Sequence, residues 1–247
     1  MGQKLGQHFL RKPAILEKIA KAACPEMAER VIEIGPGEGA LTEHLLAHAK
    51  RVIAVEIDPE LSAKMMLRFS GDPRLKVVLR DVLQTDLTQW GRAVVCGNLP
   101  YYITSPVIER TLAMGKLLER AVFLIQKEVA ERICAKPGTR DYGFLTVATQ
   151  IHAKAELLFT VPPGAFSPPP KVDSAVIRLT PHSKEAPDPT PMLAFLGLCF
   201  RQKRKTLRNN LIGAYGRLIE EQPEAGMRAE QLTLDQFRDL YHRLNGS

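Results

Sequence analysis

The sequence is poor in cysteine, has no long apolar run and shows no cluster of potential metal ligands. Its four cysteines, Cys24, Cys96, Cys134 and Cys199, are separated by 72, 38 and 65 residues. That spacing is neither a metal-binding cluster nor the framework of a small disulfide-bonded domain. Reduced thiols are the simple reading, so a cytoplasmic location is expected. The histidines show no ligand spacing, and no metal is expected. A run of the ~18 apolar residues needed to span a bilayer is absent, and residues 3–11 lack the apolar core of a secretory leader. No repeat or low-complexity tract is present, which sets aside solenoid and fibrous architectures.

Acidic residues are the next shortage: 27 Asp+Glu stand against 34 Lys+Arg, a net charge of +7. The excess is unevenly placed. Residues 1–21 hold Lys4, Arg11, Lys12, Lys18 and Lys21 against Glu17 alone, for +4. Residues 201–208 hold Arg201, Lys203, Arg204, Lys205 and Arg208 with no acid, for +5, so the rest of the chain sums to −2. Two such patches fit a polyanionic partner, or two solvated helix faces.

What the chain does have is strand and helix segments in alternation. Residues 30–34 form an apolar strand that ends in Gly35, Pro36, Gly37, Glu38 and Gly39, and a helical pattern follows over 40–48. The next strand spans 51–57, after which Asp58 and Pro59 form a cap with proline in the first helical turn. Residues 75–79, 93–96 and 121–125 are further short apolar runs. This alternation predicts βαβ units and a mostly parallel sheet, with the ligand at the carboxyl edge of its strands. Residues 155–161 and 174–179 predict a closing antiparallel hairpin around a proline-rich loop. A polar stretch with four prolines over 181–191 then reads as a linker, and helices are predicted over 192–200, 205–219 and 234–244. The domain division expected is therefore 1–182 and a small all-helical domain at 189–247.

The glycine turn after the first strand of the sheet lets the backbone approach a ligand closely. Glu56, 21 residues beyond Gly35, ends the next strand, where a carboxylate can accept from both ribose hydroxyls. The pair indicates a nucleoside-containing cofactor and by itself does not separate NAD from S-adenosylmethionine. Three features favour S-adenosylmethionine. The glycines fall as G-x-G-x-G, with Ala40 where the pyrophosphate motif continues. Glu33 precedes them, and a carboxylate there suits a cationic ligand better than a pyrophosphate. Asp81 follows the third strand, where it can accept from an adenine amino group.

Asn98, Leu99, Pro100 and Tyr101 follow the fourth strand. An exocyclic adenine amine is a poor nucleophile because its lone pair is delocalised into the ring. Acceptors at the Asn98 side chain and the Leu99 carbonyl, the latter restricted by Pro100, favour its pyramidal form. Tyr101 offers a face for a flipped-out base. The plainer alternative is a proline turn with two packed tyrosines.

These residues, with the stretch from Glu33 to Gly39, resemble the rRNA adenine N6,N6-dimethyltransferase family. Three further segments agree in order along nearly the whole chain. They are Gly6 to Leu10, the loop from Phe166 to Ser174, and the basic stretch from Phe200 to Asn210. The resemblance implies a Rossmann-like class I methyltransferase sheet with a helical C-terminal domain. It also implies transfer of two methyl groups from S-adenosylmethionine to each 6-amino group. The branch with this basic stretch acts on two adjacent adenosines in the 3′-terminal hairpin loop of small-subunit (16S) rRNA during ribosome assembly. By position in the motifs, His8, Leu10, Gly35, Gly37, Gly39, Glu33, Glu56, Asp81 and Asn98 would hold the cofactor. Tyr101 and Phe166 would sandwich the target base. Lys4, Arg11, Lys12, Arg201, Lys203, Arg204, Lys205 and Arg208 would meet RNA. The partner implied is the assembling small subunit, with the protein a monomer off the membrane. A large-subunit adenine methyltransferase of the antibiotic-resistance type and a non-catalytic assembly factor are the alternatives. An NAD-dependent oxidoreductase lacks a usable Tyr/Lys or His partner set here.

Overall fold

The computed structural model describes residues 8–182 and 190–246, so Lys4, Gly6 and Gln7 lie outside the described residues. The chain divides into two compact units, residues 1–130 with 154–181, and residues 131–153 with 182–247.

The first unit opens with a two-residue strand, β1 (Phe9–Leu10), and helix α1 (Pro13–Ala23). Strand and helix then alternate through β2 (Val31–Ile34), α2 (Ala40–His48), β3 (Val52–Glu56), α3 (Pro59–Arg68) and β4 (Leu75–Leu79). Beyond them come β5 (Ala93–Asn98), α4 (Thr104–Leu112), β6 (Leu118–Gln126) and α5 (Lys127–Ile133), which runs across the boundary between the units. Helix α6 (Phe144–Gln150) belongs to the second unit. β7 (Ala153–Val161), β8 (Phe166–Ser167) and β9 (Ser174–Pro181) complete the strands.

The main sheet has seven strands in the order β4-β3-β2-β5-β6-β9-β7. β2 is parallel to β3 and to β5, β3 to β4, and β5 to β6, while β9 is antiparallel to β6. β2 and β3 are buried at every position, as expected of strands covered on both faces. The chain leaves β2 towards β3 and β4, then returns to lay β5 on the other side of β2. That reversal opens a crevice at the carboxyl ends of β2 and β5. A second small sheet pairs β1 with β8 antiparallel, Phe9 opposite Ser167 and Leu10 opposite Phe166.

Local chemistry explains the helix starts. Asp58 caps α3 by accepting from the Glu60 and Leu61 amides at 2.8 and 3.2 Å, with Pro59 in the first turn. Glu17 on α1 ties that helix to α2, accepting from His44 Nδ1 at 2.9 Å and His48 Nε2 at 3.1 Å.

The second unit gathers α6 with α7 (Thr190–Cys199), α8 (Leu207–Tyr215) and α9 (Leu234–Asn245). Its core joins Tyr142, Val147 and Ile151 to Phe195, Leu211, Phe237 and Leu240. Residues 131–153 therefore fall outside the division expected from sequence, because their apolar side chains fill this core. Two local expectations also change. The predicted helix over 205–219 begins at Leu207, capped by Thr206, and gives way to a 3₁₀ turn at Gly216–Ile219. The cations of 201–205 thus occupy a bend and turn between α7 and α8.

Candidate active site

Each strand that ends at the crevice delivers one chemical group. β2 delivers Glu33 and then the glycine turn. At Gly37 φ is +57°, and a Cβ there would lie 2.8 Å from the Phe9 ring. Only glycine lets the turn and the β1 strand close on one another. β3 ends in Glu56, whose carboxyl accepts three backbone N–H groups, from Gly37 at 3.0 Å, Ile57 at 2.9 Å and Asp58 at 3.0 Å. Its position is set before any ligand arrives. Beyond β4, Asp81 accepts from the Leu83 amide at 2.8 Å and starts a 3₁₀ turn.

β5 delivers Asn98, whose side-chain amide donates to the His8 carbonyl at 2.9 Å. An amide whose NH₂ is committed leaves its oxygen for an incoming donor. Leu99 is 1% exposed, and its amide donates to the Leu124 carbonyl at 3.0 Å. Tyr101 shares a hydrogen bond with Ser174 Oγ at 3.0 Å. Its ring centroid stands 6.0 Å from that of His8, with the planes at 33°. The segment from His8 to Arg11 is fastened at both ends. His8 Nδ1 reaches the Pro168 carbonyl at 2.8 Å, the Arg11 amide reaches the Ala165 carbonyl at 2.9 Å, and Arg11 pairs with Glu38 at 2.7 Å.

These groups open on one cavity of about 270 Å³, whose lining includes His8, Leu10, Glu33, Gly35, Gly37, Glu56, Asp81 and the stretch from Asn98 to Tyr101. Of the three glutamates that line it, Glu33 has the most unusual electrostatics. Glu33 is 1% exposed and, among the described residues, accepts only the Thr42 hydroxyl, at 2.6 Å. Burial pushes its pKa up from 4.5 to about 8, and the nearby Glu56 charge adds to the rise.

Two expected site residues lie elsewhere. Phe166 is 6% exposed and packs in the hydrophobic core with Leu10 and Leu16. It does not line the cavity, because its pairing with Leu10 turns it inward. Gly39 is also absent from the lining. It has φ +82° and a Cβ there would meet Met65 Sδ at 2.5 Å, so it serves the contact of the turn with α3. Among the expected RNA-contacting residues, Arg11 is held by Glu38, and Arg208 by Glu220 at 2.6 Å. Lys203 donates to the Arg140 carbonyl at 2.5 Å. Lys12, Arg201, Arg204 and Lys205 are exposed.

Sequence reading missed several lining residues. Ile57 is 51% exposed and Tyr102 63%, and both line the cavity with Arg80. An apolar side chain directly after Glu56 at a strand end was the signal available for Ile57. Tyr102 is not the packed tyrosine of the plainer alternative.

The sheet order, the glycine turn after β2 and the carboxylate ending β3 define a class I methyltransferase. A profile of the family described as "Ribosomal RNA adenine dimethylase" matches residues 2–245, and the chain belongs to that family. It is 45% identical over 255 residues to a ribosomal RNA small subunit methyltransferase A of Acidobacterium capsulatum, covering 98% of this chain and 90% of the relative. A crystal structure of a dimethyladenosine transferase from Plasmodium falciparum superposes with a TM-score of 0.85 at 29% identity, covering 97% of this chain and 98% of that one. The 23S rRNA methyltransferase ErmE gives a TM-score of 0.77 at 30% identity over 96% of this chain and 99% of its own. Membership implies a cofactor of the S-adenosylmethionine type. Among the described residues no helix is long and apolar enough to cross a membrane.

Proposed function

We propose that the protein transfers methyl groups from S-adenosylmethionine to the 6-amino groups of two adjacent adenosines in the 3′-terminal hairpin loop of small-subunit (16S) rRNA. In this reading it acts in the cytoplasm, as a monomer, on the assembling subunit. The observation that carries the reading is the opening of the Asn98-to-Tyr101 stretch onto the cavity that also holds Gly35, Gly37 and Glu56. A base acceptor site and a nucleoside cofactor site then share one space.

The residues present fit the cofactor. Glu56 suits the ribose hydroxyls, and Asp81 suits the adenine amine. Glu33 and the glycine turn suit a cationic amino-acid end. When bound, S-adenosylmethionine supplies an electrophilic methyl group. Asn98 Oδ1 and the Leu99 carbonyl accept the two hydrogens of the target amine and draw its lone pair out of conjugation. Tyr101, fixed through Ser174, stacks on the extruded base, a contact of ~1–3 kcal/mol. The proton lost from the methylated amine passes to solvent, so no dedicated base is required.

The test is methyl transfer from labelled cofactor to small-subunit and large-subunit particles, with the modified nucleotides mapped. Dimethyladenosine at two adjacent small-subunit positions is expected. Label confined to large-subunit RNA would refute the reading and favour the ErmE-like alternative.

A further inference from the structure

Glu33 differs from every other carboxyl that lines the cavity. Glu56 is met by three backbone N–H groups and Asp81 by one, and Glu38 is paired with Arg11. Glu33 is buried at the end of β2 and, among the described residues, has only the Thr42 hydroxyl from α2 as a hydrogen-bond partner. The titratable groups that face it from the neighbouring strands are Glu56 on β3 and Cys96, its register partner on β5. Neither is a cation, and an unpaired carboxylate in such a place is costly. The cavity it lines is the one that takes a cofactor with an ammonium and a sulfonium at its methionine end.

We propose that Glu33 is neutral in the free enzyme and gives up its proton when the cationic end of S-adenosylmethionine binds, so that cofactor binding and proton release are one coupled step. The inference rests on the methyltransferase reading and goes beyond it, because a glutamate already ionised would serve that reading equally well. The proton leaves the Glu33 carboxyl for solvent, and the resulting carboxylate pairs with the cation, so charge within the buried site is conserved. Affinity then depends on pH. With the carboxyl titrating near 8, affinity rises about ten-fold per unit between pH 6 and 7.5 and levels off near pH 8.5, above which the ligand's own ammonium loses its proton.

Calorimetric titration of the intact protein with S-adenosylmethionine, in buffers of different ionisation enthalpy, reads the protons directly. Close to one proton released per cofactor is expected at pH 7, and only a small fraction of that at pH 8.5. Adenosine, which lacks the cationic end, should release almost none at either pH. Glu33→Gln should abolish the release and flatten the pH dependence. Should that variant fail to fold, Thr42→Val serves instead. It removes the one hydrogen bond that favours the ionised form, and should move the affinity plateau to higher pH. Tight binding with no proton exchange overturns the inference and leaves the methyltransferase reading intact. So does undiminished release from Glu33→Gln, or equal release with adenosine. Absence of any S-adenosylmethionine binding at pH 8 overturns the reading itself.

Discussion

At the scale of single residues the site is a set of carboxyl and amide groups with different environments. Glu33 also bears on folding. Its pKa is raised from 4.5 to about 8 in the folded protein, so the native state keeps a proton that the unfolded chain releases at lower pH. Its effect on stability is therefore nil below about pH 4.5. It becomes progressively unfavourable up to about pH 8 and is constant above that. Glu33→Gln cannot titrate. Relative to wild type, the cofactor-free variant should gain on the order of a few kcal/mol between pH 5 and pH 8. Urea unfolding at both pH values measures this, and a difference that does not change with pH would contradict it. Asn98→Ala tests the other pole of the site. Its oxygen matters to the reacting amine more than to bound cofactor, so kcat should fall by about 10²-fold or more with cofactor Kd within about three-fold. Equal losses in both would assign Asn98 to cofactor binding alone. That Glu33, Glu56, Asp81 and Asn98 meet at one edge of the sheet was legible in the sequence because each stands at or near the end of an apolar run. Phe166 was not, since its motif says that an aromatic is there and nothing about which way it faces. Only the pairing of Leu10 with Phe166 shows that the ring points into the core.

At the scale of elements, the features hardest to foresee are the shortest. The βαβ alternation and the two closing strands follow from hydrophobic patterning over five or more residues. β1 and β8 have two residues each, too few to show any period. Yet their pairing brings the N-terminal segment to the proline loop and places the His8 carbonyl against Asn98. The glycine turn and β1 are fitted to each other through Gly37 and Phe9. Gly37→Ala puts a side chain at φ +57° and 2.8 Å from the Phe9 ring, and the left-handed conformation alone costs ~1 kcal/mol. The ring must move, and β1 with it. Cofactor affinity measured by calorimetry should fall about ten-fold or more. Adding Phe9→Ala to Gly37→Ala should recover part of that loss, because the two positions are in contact and their effects are not additive. Strict additivity would show that the turn and the strand act separately. The basic segment shows a smaller displacement of the same kind: the helix expected from 205 starts at Leu207, capped by Thr206, which leaves 201–205 as a bend and turn.

At the scale of the whole molecule, the charge asymmetry of the sequence survives folding in altered form. The two basic ends sum to +9 against −2 for the remainder, but several of those charges are already matched. Arg11 faces Glu38, Arg208 faces Glu220, and Lys203 lies on a backbone carbonyl. In the second unit Arg201, Arg204 and Lys205 are exposed in the turn just before the N-terminus of α8. A helix start adds its own positive end to such a turn, so this is where an RNA phosphate gains most. Each neutralised phosphate contributes about 0.7–0.9 to the slope of log affinity against log salt. Replacing Arg201, Arg204 and Lys205 together by glutamine should weaken binding of the small-subunit hairpin and reduce that slope by about 2–3. Arg208→Gln should change the slope by less than one, since Glu220 already offsets its charge. A salt series of binding isotherms on the intact protein separates these outcomes. If Arg208→Gln lowers the slope as much as the triple replacement does, the grip on RNA runs along α8 rather than through the turn that precedes it.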